Sequence, residues 1–236
     1  AAESNTDIVN RTHSTIGDRA KVNVTGSISA PGSLILNAFN DVEGYDKVKL
    51  DSGGVIVGSG ATSAIRANTN DALVRIGDAA IVTTVGEANL QTRTRAHLEV
   101  APHVHTYGLA SAARVDGLAS VHNNNQVLIG DDVTLVAQGD IRLLAGQQSD
   151  GTRNQLYVRS QGDELNASIL PIDHLKSHGE IVQNHTVTIG TGAHVATARD
   201  VTLNAERYGT AIAYGYGKGK NWMTALTSGI DRLLGG

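Results

Sequence analysis

Gln126-Val127-Leu128-Ile129-Gly130-Asp131-Asp132-Val133-Thr134-Leu135-Val136-Ala137-Gln138-Gly139-Asp140-Ile141-Arg142-Leu143-Leu144-Ala145 alternates apolar or small residues with polar ones at a period of two. Alternation of that kind marks half-buried β-strands. Its breaks fall at Gly130-Asp131 and Gly139-Asp140, where a glycine beside an aspartate supplies turn chemistry. The pattern predicts three strands of about four or five residues, separated by two-residue corners. Nothing between them is long enough or shaped to reverse the chain into hairpins. A chain that bends at each corner and lies on the turn beneath it pairs every strand instead, in parallel, with its inward side chains stacked in aliphatic columns. The stretch therefore predicts an all-β fold, a single-stranded parallel β-helix.

The same pattern recurs along the chain. Ile16-Gly17-Asp18, Ile76-Gly77-Asp78, Ile129-Gly130-Asp131 and Ile189-Gly190-Thr191 stand 60, 53 and 60 residues apart. Five residues after each glycine come Val22, Val82, Leu135 and Val195; seven after come Val24, Thr84, Ala137 and Thr197. Leu90, Leu143 and Leu203 stand at equivalent places, and the first unit reaches Leu34 after an apparent insertion around Ala30-Pro31-Gly32-Ser33. Such self-similarity marks a stacked array. One domain over residues 1–236 is expected, with units starting near Asn10, Asn70, Asn123 and Gln183. The roughly 33–40 residues left in each unit should form one or two further coils, making on the order of ten rungs and a rod about 50 Å long.

The expected inward ladder is Ile16, Val22 and Val24; then Val74, Ile76, Val82 and Leu90; then Val127, Ile129, Leu135, Ile141 and Leu143; then Val187, Ile189, Val195, Val201 and Leu203. The amides Asn10, Asn70, Asn123 and Gln183 would then sit two or three coils apart and bond backbone rather than one another. At the end, Trp222, Leu226, Ile230 and Leu233 repeat at helical spacing after Asn221, which predicts a short helix or cap over 221–234.

Composition narrows the function. The chain has 236 residues, 27 of them glycine and only 3% aromatic, so its core must be thin layers of Val, Ile, Leu and Ala. A net charge of −4 with 18% charged residues gives no basic footprint for nucleic acid. With no cysteine, disulfides and thiolate metal sites are excluded. No apolar run approaches the ~20 residues of a membrane span, and Ala1-Ala2-Glu3-Ser4 lacks the basic start of a signal peptide. A secretion signal and an anchor are expected outside this segment.

Candidate chemistry is sparse. His103 and His105 flank Val104 on a strand and face the same way, but the sequence specifies no third ligand. His174 and His178, with Asp173 and Glu180 nearby, suit one face of a brief helix between Pro171 and Gly179 but lack the glutamate of the zinc-protease pattern. Gly215-Tyr216-Gly217-Lys218-Gly219-Lys220-Asn221 fails as a phosphate loop and reads as a continuation of the repeat. Asp18, Asp78 and Asp131, present once per unit, read as turn formers. No catalytic, cofactor-binding or metal-binding residue is assigned, and no cofactor is expected. The stretches that break the pattern, Phe39 to Asp46, Gln147 to Tyr157 and Ser160 to His178, are candidate contact loops.

The segments Val127 to Ala145 and Thr186 to Ala205 follow a Val-x-Ile-Gly-Asp-x-Ala-x-Val-x-x-x-Gly-x-Val-x-Leu-x-Ala pattern. That pattern resembles the repeats of large filamentous-haemagglutinin-like bacterial exoproteins and adhesins. The resemblance implies a right-handed β-helical stalk, secreted or at the bacterial cell surface, that mediates attachment or biofilm cohesion. The secretion domain of that family carries Asn-Pro-Asn motifs, whereas Pro31, Pro102 and Pro171 follow Ala, Ala and Leu, so an internal stalk segment is implied. Its partner would be a host or cell-surface glycan or protein, and the segment itself monomeric within a larger chain. The alternatives are a polysaccharide-active β-helix enzyme, with a groove of non-repeating charged residues, and a carbohydrate-binding module, with exposed aromatics. Circular dichroism of the isolated chain should give a β-sheet spectrum; a predominantly helical one would overturn the fold.

Overall fold

The computed structural model describes residues 1–27, 29–205 and 209–221. Among them are β1 (Ala2–Ile16), β2 (Lys21–Val24), β3 (Leu34–Asp46), β4 (Lys49–Ile76), β5 (Ile81–Thr84), β6 (Ala88–Val100), β7 (His103–Ile129), β8 (Thr134–Ala137), β9 (Ile141–Ala145), β10 (Asn154–Ile189), β11 (His194–Thr197), β12 (Val201–Asn204) and β13 (Gly209–Asn221). No helix occurs among the described residues, and every pairing between these strands is parallel. The helix expected over 221–234 lies, after Asn221, outside the described residues. Gly215 to Asn221 continue the repeat within β13, which pairs with Asn154 to Asn166 of β10.

The register decides how the units stack. Ile16 lies opposite Ile76, Ile76 opposite Ile129, and Ile129 opposite Ile189. One sequence unit is therefore one tier, and the expectation of two or three coils per unit is overturned. The residues expected to wind a second coil instead lengthen the strands: β4, β7 and β10 run 28, 27 and 36 residues. The four tiers of the described residues, at about 4.8 Å each, rise only some 20 Å, not 50 Å. The amides of Asn10, Asn70, Asn123 and Gln183 are consequently in adjacent tiers. Asn70 and Asn123 are buried, yet their amide atoms bond neither backbone nor each other.

The Gly-Asp corner explains why the motif repeats. The carboxylate of Asp18 accepts the backbone N–H of Asp78 at 3.0 Å, Asp78 that of Asp131 at 3.2 Å, and Asp131 that of Thr191 at 2.7 Å. The aspartate is a turn former as expected, but its bond runs between tiers. Arg75 stands between the first two acids, its Nη2 3.1 Å from Asp18 and 3.7 Å from Asp78, which offsets like-charge stacking. The glycine makes room for the acid beneath it. A methyl on Gly77, Gly130 or Gly190 would fall 2.3, 2.2 or 2.5 Å from the preceding tier's carboxylate oxygen; on Gly17, in the first tier, it would meet nothing within 4 Å. Two residues after the glycine, Arg19, Ala79 and Asp132 are held at φ near +55° (56°, 54° and 53°), and the fourth unit has Gly192 there at 71°. The N–H of each of these three residues donates to the carbonyl of the next tier's corner, Asp78, Asp131 or Thr191.

The long strands double back on themselves. Within β4 the hydroxyls of Ser52 and Ser59 touch, within β7 those of Thr106 and Ser111 are 3.3 Å apart, and within β10 Gly162 N–H donates to Ser177 Oγ at 2.8 Å. Three apolar clusters fill the interior in sequence along the doubled strands. The first, between the corners, holds Val74, Ile76, Val82, Leu90, Ile129, Leu135 and Ile141; the middle one holds Ile65, Leu98, Val121 and Leu156; the third holds Val48, Val104 and Val115. In the second and third units the expected inward residues are all buried. In the fourth, Val187 and Val195 pack on the core, whereas Ile189, Val201 and Leu203 are 40–52% exposed, because no described strand stacks on their outer side.

Two further expectations change. Leu36, not Leu34, lies opposite Leu90, so the insertion in the first unit is two residues longer than the pattern suggested and spans the segment between Val24 and Leu34. Phe39 to Asp46 and Ser160 to His178 are strand rather than loop; of the three candidate loops, only the stretch before Asn154 leaves the ladder. Gly130→Ala should destabilise the chain by about 1–3 kcal/mol, since its methyl collides with Asp78. Gly17→Ala should stay within about 0.5 kcal/mol of the parent or gain slightly from the stiffer unfolded chain. Denaturant melts of both variants check this, and equal losses would refute the between-tier account of the glycine.

Candidate functional site

His103 and His105 project from the start of β7 on the outer face, as their spacing requires, with ring centroids 4.0 Å apart. Parallel pairing supplies what the sequence did not. Lys49 lies opposite His103 and Asp51 opposite His105 in the tier before; Asp163 lies opposite His103 in the tier after. His105 Nδ1 is 3.2 Å from Asp51 Oδ1, and His103 Nδ1 is 3.2 Å from Asp163 Oδ2. Lys49 Nζ holds the other oxygen of Asp51 at 3.0 Å. One ligand atom each from Asp51, His103 and His105 lies within 4.8 Å of the others, and these are the residues able to hold a metal. Burial first, and then the charge of His105, push the pKa of His103 below the usual imidazole value despite Asp163. The bond from Lys49 holds Asp51 below the usual carboxylate range. These two shifts favour the neutral form of His103 and the ionised form of Asp51. Asp51 was missed because its link to His105 crosses 54 residues, and only the one-unit tier makes them neighbours.

His174 and His178 do not form a pair. Leu170 to Gly179 is strand, not helix, and four residues along a strand separate the two rings by about 13 Å. His174 instead faces Asp116 of the tier before at 3.5 Å, and His178 lies 4.0 Å from Glu180. On the β3–β6–β10–β13 sheet a cleft is lined by Asp41, Glu43, Arg95, His97, Gln155, Tyr157 and Thr210. Arg95 engages Asp41 through both oxygens, at 2.8 and 2.5 Å, so that acid is held in a bidentate ion pair.

Where the long strands fold over, the chain presents an apolar edge. Val55, Ile56, Tyr107, Leu109, Ile169, Leu170 and Ile172 are all exposed there, stacked from three consecutive tiers. Just inside that edge lies Glu164, 1% exposed, on the buried column of Val104. Desolvation, reinforced by the neighbouring Asp173, raises its pKa to about 8, so at neutral pH it is protonated. Carboxyl pairs with split protonation serve acid–base chemistry when a substrate reaches them. Glu164 is buried away from solvent, with Asp173 as its carboxyl neighbour. No family model, curated protein or solved structure matches the chain.

Glu164 has a pH signature. Its folded pKa lies above the ordinary 4.5, so the folded chain binds the extra proton, and stability falls as pH rises from about 4.5 to about 8. Glu164→Gln removes that dependence: its melting temperature should match the parent near pH 4.5 and exceed it by several degrees at pH 8.5. Parallel melting curves across that range would show otherwise.

Proposed function

We propose that this chain is a structural and adhesive segment of a secreted or cell-surface bacterial adhesin, wound as a right-handed single-stranded parallel β-helix. It mediates attachment or biofilm cohesion and carries out no catalysis. The observation that carries this reading is the one-unit register: each Gly-Asp corner is bonded to the next, so the repeated residues are spent on stacking. Right-handed winding follows from the strong preference of parallel crossovers for that hand. At 53–60 residues per tier the segment is expensive as a spacer but presents broad lateral faces.

The apolar edge around Ile56, Leu109 and Leu170 is the surface we assign to contact. Aliphatic side chains with Tyr107 as the one aromatic among them suit an apolar protein surface better than a sugar, whose rings stack on exposed aromatics. The polysaccharide-enzyme alternative finds a cleft drawing on several tiers, but its Asp41 is already paired with Arg95.

Single-molecule pulling between the two ends separates the windings. If each unit peels off as one closed tier, the force trace should show length increments of roughly 180–210 Å, the extended length of one unit. Increments of a third to a half of that size would refute one tier per unit and the broad β-helix with it.

A further inference from the structure

We propose that Asp51, His103 and His105 form a binding site for a divalent transition-metal ion of the zinc class, with Asp163 as the group that orients His103. The ligand types are those zinc takes from proteins, two imidazoles and a carboxylate, which leaves a fourth position for water. The geometry is close to assembled. His105 Nδ1 and Asp51 Oδ1 stand 3.2 Å apart, nearly the ~3.3 Å edge of a tetrahedron drawn by zinc bonds of about 2.0–2.1 Å. A ring nitrogen of His103 completes a triangle no wider than 4.8 Å, which rotation of these partly exposed side chains closes.

A second observation points the same way. Asp163 Oδ2 stands 3.2 Å from Nδ1 of His103, which favours the proton on that nitrogen and the lone pair on Nε2. Nε2 is buried and has no hydrogen-bond partner, an unspent donor to a metal. A carboxylate behind a ligating imidazole is the usual support of such sites, fixing the tautomer and raising the basicity of the ring. Binding through Nδ1 of His105 requires the tautomer protonated on Nε2: a hydrogen on Nδ1 leaves to solvent, Nε2 takes one up in exchange, and the ion enters between His105 Nδ1 and Asp51 Oδ1. Lys49 is the built-in competitor. Its ammonium sits 3.0 Å from the second oxygen of Asp51 and must yield as positive charge arrives. The three ligands come from two tiers, so the bound ion clamps β4 to β7 across the face of the fold.

Isothermal titration of the chain with zinc alone tests the site, with cobalt(II) absorption as a second readout of nitrogen and oxygen ligation. One equivalent should bind per chain, and zinc should raise the melting temperature. His103→Ala, His105→Ala and Asp51→Asn should each weaken binding about tenfold or more and abolish the thermal shift. Asp163→Asn should weaken it less, Lys49→Ala should tighten it, and His174→Ala should leave it unchanged. The substituted side chains lie on the outer face, and circular dichroism of each variant establishes that it folds. Zinc binding that survives His103→Ala/His105→Ala together, or an absence of binding in the parent, overturns the proposal. So does a zinc affinity that Lys49→Ala lowers. The inference does not rest on the adhesin reading, which would stand or fall separately.

Discussion

Everything in this fold hangs on one constraint: the chain must return to the same place once every 53–60 residues, in register to the residue. Parallel strands have slanted, evenly spaced bonds and little intrinsic preference for one offset over another. A slip by one residue would turn every inward side chain out. The corner prevents it. Asp18, Asp78 and Asp131 each reach forward to a single backbone N–H of the following tier, and only a glycine tolerates the carboxylate that arrives there. Ile, Gly and Asp are thus a core residue, a vacancy and a latch; none of the three works without the tier on which it stacks.

That device locates the insertions as well. Register is strict at the corner, where Ile16, Ile76, Ile129 and Ile189 align. It relaxes elsewhere: β4 shifts between Ala67 and Asn70, and the third unit departs from the ladder after Ala145 before rejoining at Asn154. Each irregularity is absorbed before the next corner. The interior changes character with distance from it, from the aliphatic cluster around Ile76 and Leu135 to Asn125, Asn154 and His185, which bond one another in the buried middle. A buried polar network of this kind is tolerated because its members meet partners. The buried amides of Asn70 and Asn123 stay outside that network.

The local part of this was legible in the sequence. Period-two alternation and Gly-Asp corners gave the parallel strands, and the aliphatic ladder of the second and third units is buried as read. What was not legible is what depends on partner distance. Whether the residues between two corners form one long doubled strand or two short coils has the same alternation either way, so the tier count came out wrong. Leu34 and Leu36 lie on the same face of the strand, so the alternation alone does not choose which of them stacks on Leu90. His174 and His178 fit a helix or a strand equally well by spacing, and the choice fell to pairing with β7. His103 and His105 were read correctly as facing one way; Asp51 belongs to them only once Asp51 and His105 are known to be opposite.

A wide tier changes where function can arise. In a narrow repeat each outer residue has neighbours one short unit away, so repeated chemistry meets repeated chemistry and the surface is uniform. Here neighbours lie 53–60 residues apart in stretches that do not repeat, and unrelated side chains are brought side by side. Lys49, Asp51, His103, His105 and Asp163 come from three successive tiers and share no motif, yet they form one connected group. The corner fixes their register without constraining their identity, because it lies far along the strand from them. The repeat therefore sets a scaffold whose distal faces are free to vary, and chemistry collects there because the latch does not reach it.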